Sequence, residues 1–315
     1  MSEILPKYAY FDGRIVPFSE AKVSVMTQAL HYGTAVFGGM RGYWNDEEEQ
    51  LYIVRPHDHF RRVLQSAYIM RMEIDKNEQE LTEILKELLR KEGYQENVYI
   101  RPLIYKSSEV ISVKLHGIDD AFTMFALPFG RYAKKEEGLH VCFSAWQRIN
   151  DNSIPARGKI SGAYANSALI KSDALLAGYD EAFVLTQDGH LSEGSAANVM
   201  MVRNGKLITS PITDDILEGI TRNTLMTLAR EELGIEVVER KIDRTEIYIA
   251  DEILMCGTGM QVAAVTQVEH RKIGSGKMGE ITEALRDLYF DLVVGKLPKY
   301  RHWVEPVYVD EIVQS

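Results

Sequence analysis

A lysine set among small residues is the first feature of this sequence that could do covalent chemistry. Lys159 stands in Ala156-Arg157-Gly158-Lys159-Ile160-Ser161-Gly162, at the entry to a predicted helix. A lysine amine becomes a nucleophile where its surroundings lower its pKa, and small neighbours leave room for a flat cofactor. Glu193 is the second feature. It follows the turn Asp188-Gly189 in a run of small residues that lets backbone approach a planar ring. Two further segments suit an anion. Leu217-Glu218-Gly219-Ile220-Thr221-Arg222 opens a predicted helix, where unpaired N–H groups and the helix dipole favour a phosphate, and Gly219 permits close approach. Gly257-Thr258-Gly259 follows a predicted strand and offers a nest of N–H groups together with the Thr258 hydroxyl. Arg101, inside an apolar strand, needs an anionic partner if it is buried. Each feature alone has an ordinary alternative: a helix cap, a tight turn, a solvated side chain or a structural ion pair. The Gly-Thr-Gly triplet lacks the Gly-x-Gly-x-x-Gly spacing of a dinucleotide site, and there is no Walker sequence.

The elements that must position these residues follow from periodicity and turn chemistry. Alternation at 8–11 and 14–17 about Asp12-Gly13 predicts a hairpin, and a second strand pair is predicted at 40–43 and 50–54. Apolar residues recur at helical spacing over 57–71 (Phe60, Val63, Leu64, Ala67) and 78–92 (Leu81, Ile84, Leu85, Leu88), with Gly93 closing the second helix. Strands are predicted at 98–105 and 121–126. Residues 127–137, with Pro128, Gly130 and Lys134-Lys135-Glu136-Glu137, read as a linker between a small domain (1–126) and a larger one (138–315). Beyond it, strands are predicted at 139–145, 181–186, 199–202, 206–208 and 252–256, and helices at 162–177, 220–232 and 279–294. Short turns join most strands, so the fold class is α+β rather than a wound parallel sheet.

Composition narrows the function classes. The chain has 315 residues, 45% hydrophobic and 26% charged, with a net charge of −10. That balance is of a soluble globular protein and argues against a general affinity for nucleic acid or anionic membrane. No stretch approaches the ~20 apolar residues of a membrane span, and the first residues, MSEILPKYAYFDG, show no signal-peptide pattern. The two cysteines, Cys142 and Cys256, lie far apart without metal-ligand spacing, so no metal site is predicted and both read as reduced thiols. The expected compartment is cytoplasmic.

Six blocks, taken in order, resemble the class IV aminotransferases, and among them the branched-chain amino acid aminotransferases most closely. They are ALHYGTAVFGGMRGY from Ala29, YIRPLIY from Tyr99, IPARGKISGAYANSAL from Ile154, DGHLSEGSAANV from Asp188, LEGITRNTL from Leu217 and ADEILMCGTGMQVAAV from Ala250. The likeness spans nearly the whole chain. It implies a two-domain fold type IV architecture with pyridoxal 5'-phosphate between the domains. By this resemblance Lys159 holds the cofactor as a Schiff base and shuttles the substrate proton. Glu193 faces the pyridine nitrogen, and Tyr164 hydrogen-bonds the phenolic oxygen. Arg62, Gly219, Ile220, Thr221, Gly257 and Thr258 hold the phosphate, and Leu217 packs on the ring. Tyr32, Phe37, Arg41, Tyr99 and Arg101 surround the substrate, and Thr258 and Gly259 take its α-carboxylate. The implied activity is transfer of amino groups from leucine, isoleucine and valine to 2-oxoglutarate. The implied assembly is a homodimer at minimum, with a higher oligomer of dimers open, because the partner's loop closes each pocket.

The sequence departs from the family pattern in places. Gly38 replaces a glutamate expected near the mouth of the pocket, Ala196 and Ala197 replace Gly-Glu after SEGS, and Gly259, Met260 and Gln261 follow the Gly-Thr pair in place of small-small-Glu. None touches a cofactor role. They leave D-amino acids, (R)-amines or aromatic amino acids open as substrates. A lyase resembling aminodeoxychorismate lyase, and a non-catalytic binding protein on the same scaffold, are the remaining alternatives.

Overall fold

A computed structural model describes residues 5–130 and 138–308. By contact the described chain divides into two units, one of residues 5–130 with 291–308 and one of 138–290.

The first unit is built on a sheet of eight strands. β1 (Tyr8–Phe11) and β2 (Arg14–Pro17) form the expected hairpin. Asp12 and Gly13 both adopt positive φ, 50° and 77°, as a two-residue turn that follows the strand twist requires. β3 (Ala35–Phe37), β4 (Met40–Asn45), β5 (Gln50–Val54), β6 (Val98–Lys106) and β7 (Asp120–Pro128) complete the segment before residue 130. β6 and β7 pair antiparallel from Val98↔Pro128 to Lys106↔Asp120. Along β6, Val98, Ile100, Pro102 and Ile104 are buried, whereas Tyr99, Arg101 and Leu103 are half-buried on the other face. Three helices accompany the sheet: the short α1 (Gln28–Tyr32), α2 (Pro56–Ile69) and α3 (Glu78–Glu92). α3 opens with a capping box in which Asn77 and Glu80 exchange hydrogen bonds, and it ends at Gly93 with φ 73°.

The second unit carries a nine-stranded sheet. Its strands are β8 (Leu139–Phe143), β9 (Glu181–Leu185), β10 (Leu191–Gly194), β11 (Asn198–Arg203), β12 (Lys206–Thr209), β13 (Val237–Glu239), β14 (Glu252–Gly257), β15 (Gln261–Val268) and β16 (Arg271–Lys272). The order is β10-β9-β8-β15-β14-β11-β12-β13, with β16 on β15. Most pairs are antiparallel, but β8 runs parallel to β9 and β15, and β12 to β13. α4 (Tyr164–Leu176), α5 (Ile220–Glu231), the four-residue α6 (Arg244–Ile247) and α7 (Glu280–Val293) complete it. An apolar core including Phe183, Val199, Met201, Ile253, Met255 and Val265 fills this unit. No described helix is long and apolar enough to cross a membrane.

The structure departs from the sequence reading at the end of the chain. The expected division assigns 138–315 to one domain, whereas Val304–Pro306 pairs antiparallel with β5 in the first unit. A strand of three residues ending in proline carries no periodic signal; only its backbone partner makes it a strand. The expected linker is also shorter at its start, since β7 continues through Leu127 and Pro128, and residues 131–137 lie outside the described residues.

Candidate functional site

Glu193 is a buried, partnered charged group of the second unit. It lies on β10, 3% exposed, and its two oxygens have distinct partners. Oε1 meets Arg148 Nη2 at 2.7 Å. Oε2 accepts from Asn198 Nδ2 at 3.0 Å and from the Leu217 backbone N–H at 3.2 Å. Burial raises the Glu193 carboxyl above its ordinary value, and the Arg148 guanidinium is the strongest opposing influence. Arg148 is itself held, donating through Nε to the Asp215 carbonyl at 3.2 Å. Arg148 and Asn198 were not singled out from sequence. Arg148 lies outside the blocks that carry the resemblance and Asn198 at the end of one of them, and only the fold aims both at Glu193.

Lys159 precedes α4. The chain makes a single 3₁₀ turn at Ser161–Ala163 and enters the helix at Tyr164. One turn after the lysine, Tyr164 therefore lies beside it, and Lys159 Nζ is 2.5 Å from the Tyr164 hydroxyl. Lys159 is half-buried and close enough to Glu193 for its charge to favour the ionised carboxylate. Lys159, Tyr164 and Glu193, taken from two separate sequence blocks, thus share one neighbourhood.

The two anion-suited segments form as backbone features. Gly219 is the N-cap of α5 and supplies no side-chain cap, so the first-turn N–H groups, including those of Ile220 and Thr221, are left for another acceptor. A Cβ on Gly219 would lie 2.0 Å from Asn198 Oδ1, so this position requires glycine for close packing. Thr258, Gly259 and Met260 form the turn between β14 and β15, whose ends pair Gly257 with Gln261. A Cβ at Gly259 would meet nothing within 4 Å, so open space adjoins the turn. Across the sheet, Asn198 pairs with Cys256, next to that turn. Cys256 is buried and pushed up to about 12, and both thiols are free.

In the first unit, Arg101 and Tyr99 share one face of β6. The Arg101 guanidinium lies 4.6 Å from the Phe37 ring centre and 5.2 Å from that of Tyr99, and it donates to the Tyr99 hydroxyl at 3.0 Å. No carboxylate among the described residues pairs with it, and its Nε is buried without a hydrogen-bond partner. Arg41 lies opposite Tyr99 in the β4–β6 register, 1% exposed, with Nη2 on the carbonyls of Phe129 and Gly130 at 2.6 and 2.5 Å. Phe129, another residue not singled out beforehand, presents its ring face to Arg41 at 4.9 Å and packs tilted against Tyr99 with ring centres 5.3 Å apart. In α2, Arg61 points outward to Asp58 and Glu78, while Arg62 is buried.

Tyr32 ends α1 exposed, and no hydrogen bond or ring contact among the described residues joins it to Phe37, Tyr99 or Arg101. Position 38 faces packed side chains, not a pocket mouth: a Cβ there would lie 2.7 Å from Pro102 and 3.0 Å from Val63. Its loss of the family glutamate is therefore a matter of packing. Gly39 does border the site, since its Cβ would lie 2.2 Å from the Tyr99 hydroxyl.

The residues of the second unit fit a phosphorylated pyridine aldehyde. A lysine amine, a buried carboxylate for a ring nitrogen, and an uncapped helix N-terminus for a phosphate are the three donor types it needs. The family profile described as amino-transferase class IV matches residues 35–268. The chain is 47% identical over 301 residues to a probable branched-chain-amino-acid aminotransferase of Aquifex aeolicus (strain VF5), covering 96% of this chain and 97% of that one. Its fold matches the crystal structure of a branched-chain aminotransferase from the thermophilic archaeon Thermoproteus uzoniensis with norvaline, at TM-score 0.92 and 38% identity over 96% of this chain and 100% of the other. It matches equally a branched-chain amino acid aminotransferase from Thermobaculum terrenum in its PLP form, at TM-score 0.92 and 39% identity over 96% and 99% of the two chains. The chain belongs to the class IV aminotransferases, enzymes that work with pyridoxal 5'-phosphate.

Proposed function

We propose that this protein transfers amino groups from leucine, isoleucine and valine to 2-oxoglutarate, producing the branched-chain 2-oxo acids and L-glutamate. The observation that carries the substrate reading is Arg101: a cation held by the faces of Phe37 and Tyr99, with no carboxylate partner among the described residues. Aromatic faces stabilise a guanidinium without claiming its N–H groups, so, apart from the one donated to the Tyr99 hydroxyl, an incoming carboxylate can take them. The distal carboxylate of glutamate or 2-oxoglutarate is such a group. A leucine side chain lies against the same apolar faces and leaves Arg101 on its aromatic neighbours. Whichever substrate is bound, its α-carboxylate meets the backbone N–H groups at Thr258 and Gly259, which read no side chain.

The cofactor supplies an electron-withdrawing ring that stabilises negative charge developing at the substrate Cα. Lys159 would take the proton from that carbon and return it to the carbon two bonds away, across the amino nitrogen, so that its amine serves as both general base and general acid. Tyr164, 2.5 Å from Lys159 Nζ, orients that amine and stands ready as a donor to a phenolic oxygen. Glu193 holds a proton on the ring nitrogen, and Arg148 keeps the buried carboxylate compensated. Thr221, Ile220 and Gly219 present N–H groups to the phosphate at the start of α5, and Thr258 adds its hydroxyl. The phosphate role of Arg62 and the ring contact of Leu217 belong to this same reading.

The working assembly is proposed to be a homodimer, in a cytoplasmic setting. Val25, Leu30, Ile111 and Val113 are largely exposed apolar side chains. The segments that carry them are tied together by the Thr27↔Glu109 bridge and by Gln28 hydrogen bonds to the carbonyls of Ser108 and Ser112. A joined apolar surface of this kind suits a second copy, and exposed Tyr32 lies at its border. Stopped-flow half-reactions test the substrate reading. Leucine, isoleucine, valine and glutamate should convert the bound cofactor rapidly, and D-amino acids or (R)-amines slowly. The reverse order would assign the protein to those amines.

A further inference from the structure

The side chain of Asn198 touches both halves of the site described in the second unit. It is 6% exposed at the start of β11. Its two N–H groups are both engaged: Nδ2 donates to Glu193 Oε2 at 3.0 Å and to the Leu217 carbonyl at 3.0 Å. Leu217 returns its own N–H to the same Glu193 oxygen at 3.2 Å, which closes a small ring of three hydrogen bonds. On its other side, Asn198 Oδ1 occupies the space where a Cβ on Gly219 would lie, at 2.0 Å. Gly219 is the N-cap of α5. The carboxamide is therefore wedged between the carboxylate meant for the ring nitrogen and the helix end meant for the phosphate.

We propose that Asn198 is a positioning residue that sets the distance between the pyridine-facing and phosphate-facing halves of the cofactor site. The inference rests on the proposed use of Lys159, Glu193 and the α5 N-terminus. The physical argument is one of valence. A carboxylate oxygen that accepts two hydrogen bonds has both lone pairs occupied, so Oε2 is saturated by Asn198 and Leu217. Oε1, with Arg148 on one side, keeps a lone pair for a ring N–H. Asn198 thus decides which oxygen faces the ring. Through Leu217 and Gly219 it fixes where the first turn of α5 begins. No other amide geometry does both, because a carboxylate would repel Glu193 and the Leu217 carbonyl, and a hydroxyl has one donor.

The test uses purified protein, stripped of cofactor and titrated with pyridoxal 5'-phosphate. Three measurements are made: affinity, the 31P resonance of the bound phosphate, and thermal unfolding of the cofactor-free protein. Asn198→Ala is expected to weaken cofactor affinity roughly 10- to 100-fold, the loss of hydrogen bonds to a charged group. It should also shift the phosphate resonance, although the phosphate does not contact residue 198. Gly219→Ala should weaken binding on its own, because its methyl collides with Asn198 Oδ1. In the double variant that collision is gone, so the combined loss should be smaller than the product of the single losses. Asn198→Asp, which keeps the shape and reverses the donors, should bind worse than Asn198→Ala. Losses that multiply, an unmoved 31P signal, or unfolding of both Asn198 variants without cofactor would overturn the positioning role. If the unaltered protein does not bind the cofactor, the reading of the reaction fails instead.

Discussion

The two charged residues on which the proposed chemistry turns, Glu193 and Arg101, are held in opposite ways. Glu193 is nearly satisfied: a guanidinium, a carboxamide and a backbone N–H take up its oxygens and leave one place open. Arg101 is held by the faces of Phe37 and Tyr99 and by one hydroxyl, with its buried Nε left over. The difference teaches what each has to recognise. A cofactor presents the same atom on every turnover, so a rigid, nearly satisfied partner is best. Two alternating substrates, one with a distal carboxylate and one without, need a cation that can be used or ignored. Aromatic faces provide that because they stabilise charge without demanding a fixed geometry.

The comparison breaks most decisively at Lys159, which serves both substrates. Lys159→Ala should lower both half-reactions by more than about 10⁴-fold, the upper range for loss of a general base. Borohydride treatment of the loaded protein should attach cofactor to the peptide containing Lys159, and labelling of a different lysine by mass spectrometry would reassign the role.

Glu193→Gln should cost roughly a thousandfold in both half-reactions, because the ring nitrogen loses its counter-charge. Cofactor should remain bound. Equal effects on leucine and glutamate are required, since this carboxylate belongs to the cofactor side. A rate within a few-fold of the original would show that another group protonates the ring.

Arg101→Leu should separate the substrates. The 2-oxoglutarate half-reaction should lose about 2–4 kcal/mol, while the leucine half-reaction stays nearly unchanged. Equal losses measured by stopped flow would mean that Arg101 binds the shared α-carboxylate or only supports the sheet.

The smallest effect concerns stability against pH in the cofactor-free protein. Burial raises the folded Glu193 carboxyl above its ordinary value of 4.5. The sign follows from linkage: its contribution is fully present below the unfolded value and is lost as pH rises through the folded one. Thermal unfolding curves of the cofactor-free protein and of Glu193→Gln should therefore diverge as pH rises from about 4.5, with the original protein losing more. Parallel curves would show that Arg148 cancels the burial effect fully. Arg148→Met should then restore the divergence.

Several elements were legible because local rules and the fold agree. The helix 78–92 was readable from its leucine spacing and Gly93, and α3 spans those residues with a capping box at Asn77. The Asp12-Gly13 hairpin and the Gly219 helix start carry their own conformational signals. Less visible were α1, β3, β15 and the Val304–Pro306 strand, which are short or lack a helical or alternating pattern and exist because a neighbouring strand or loop accepts their hydrogen bonds. The family glutamate missing at Gly38 could not be interpreted from sequence either. That a side chain there would strike Pro102 depends on the pairing of β3 with β6.

By itself the sequence determined the chemical types available: one lysine beside small residues, a carboxylate after a turn, glycines at a helix start and a strand end, and an arginine in an apolar strand. It also determined the local elements, because periodicity and turn propensity are properties of neighbouring residues. Only the tertiary structure decided that Arg148 and Asn198 converge on Glu193, and that Arg101 is held by aromatic faces rather than a carboxylate. Those outcomes depend on contacts between residues far apart in the chain: 45 positions separate Arg148 from Glu193 (193 − 148 = 45), and 64 separate Phe37 from Arg101 (101 − 37 = 64). No local rule spans such distances. Strand register and side-chain packing, settled by the whole fold at once, do.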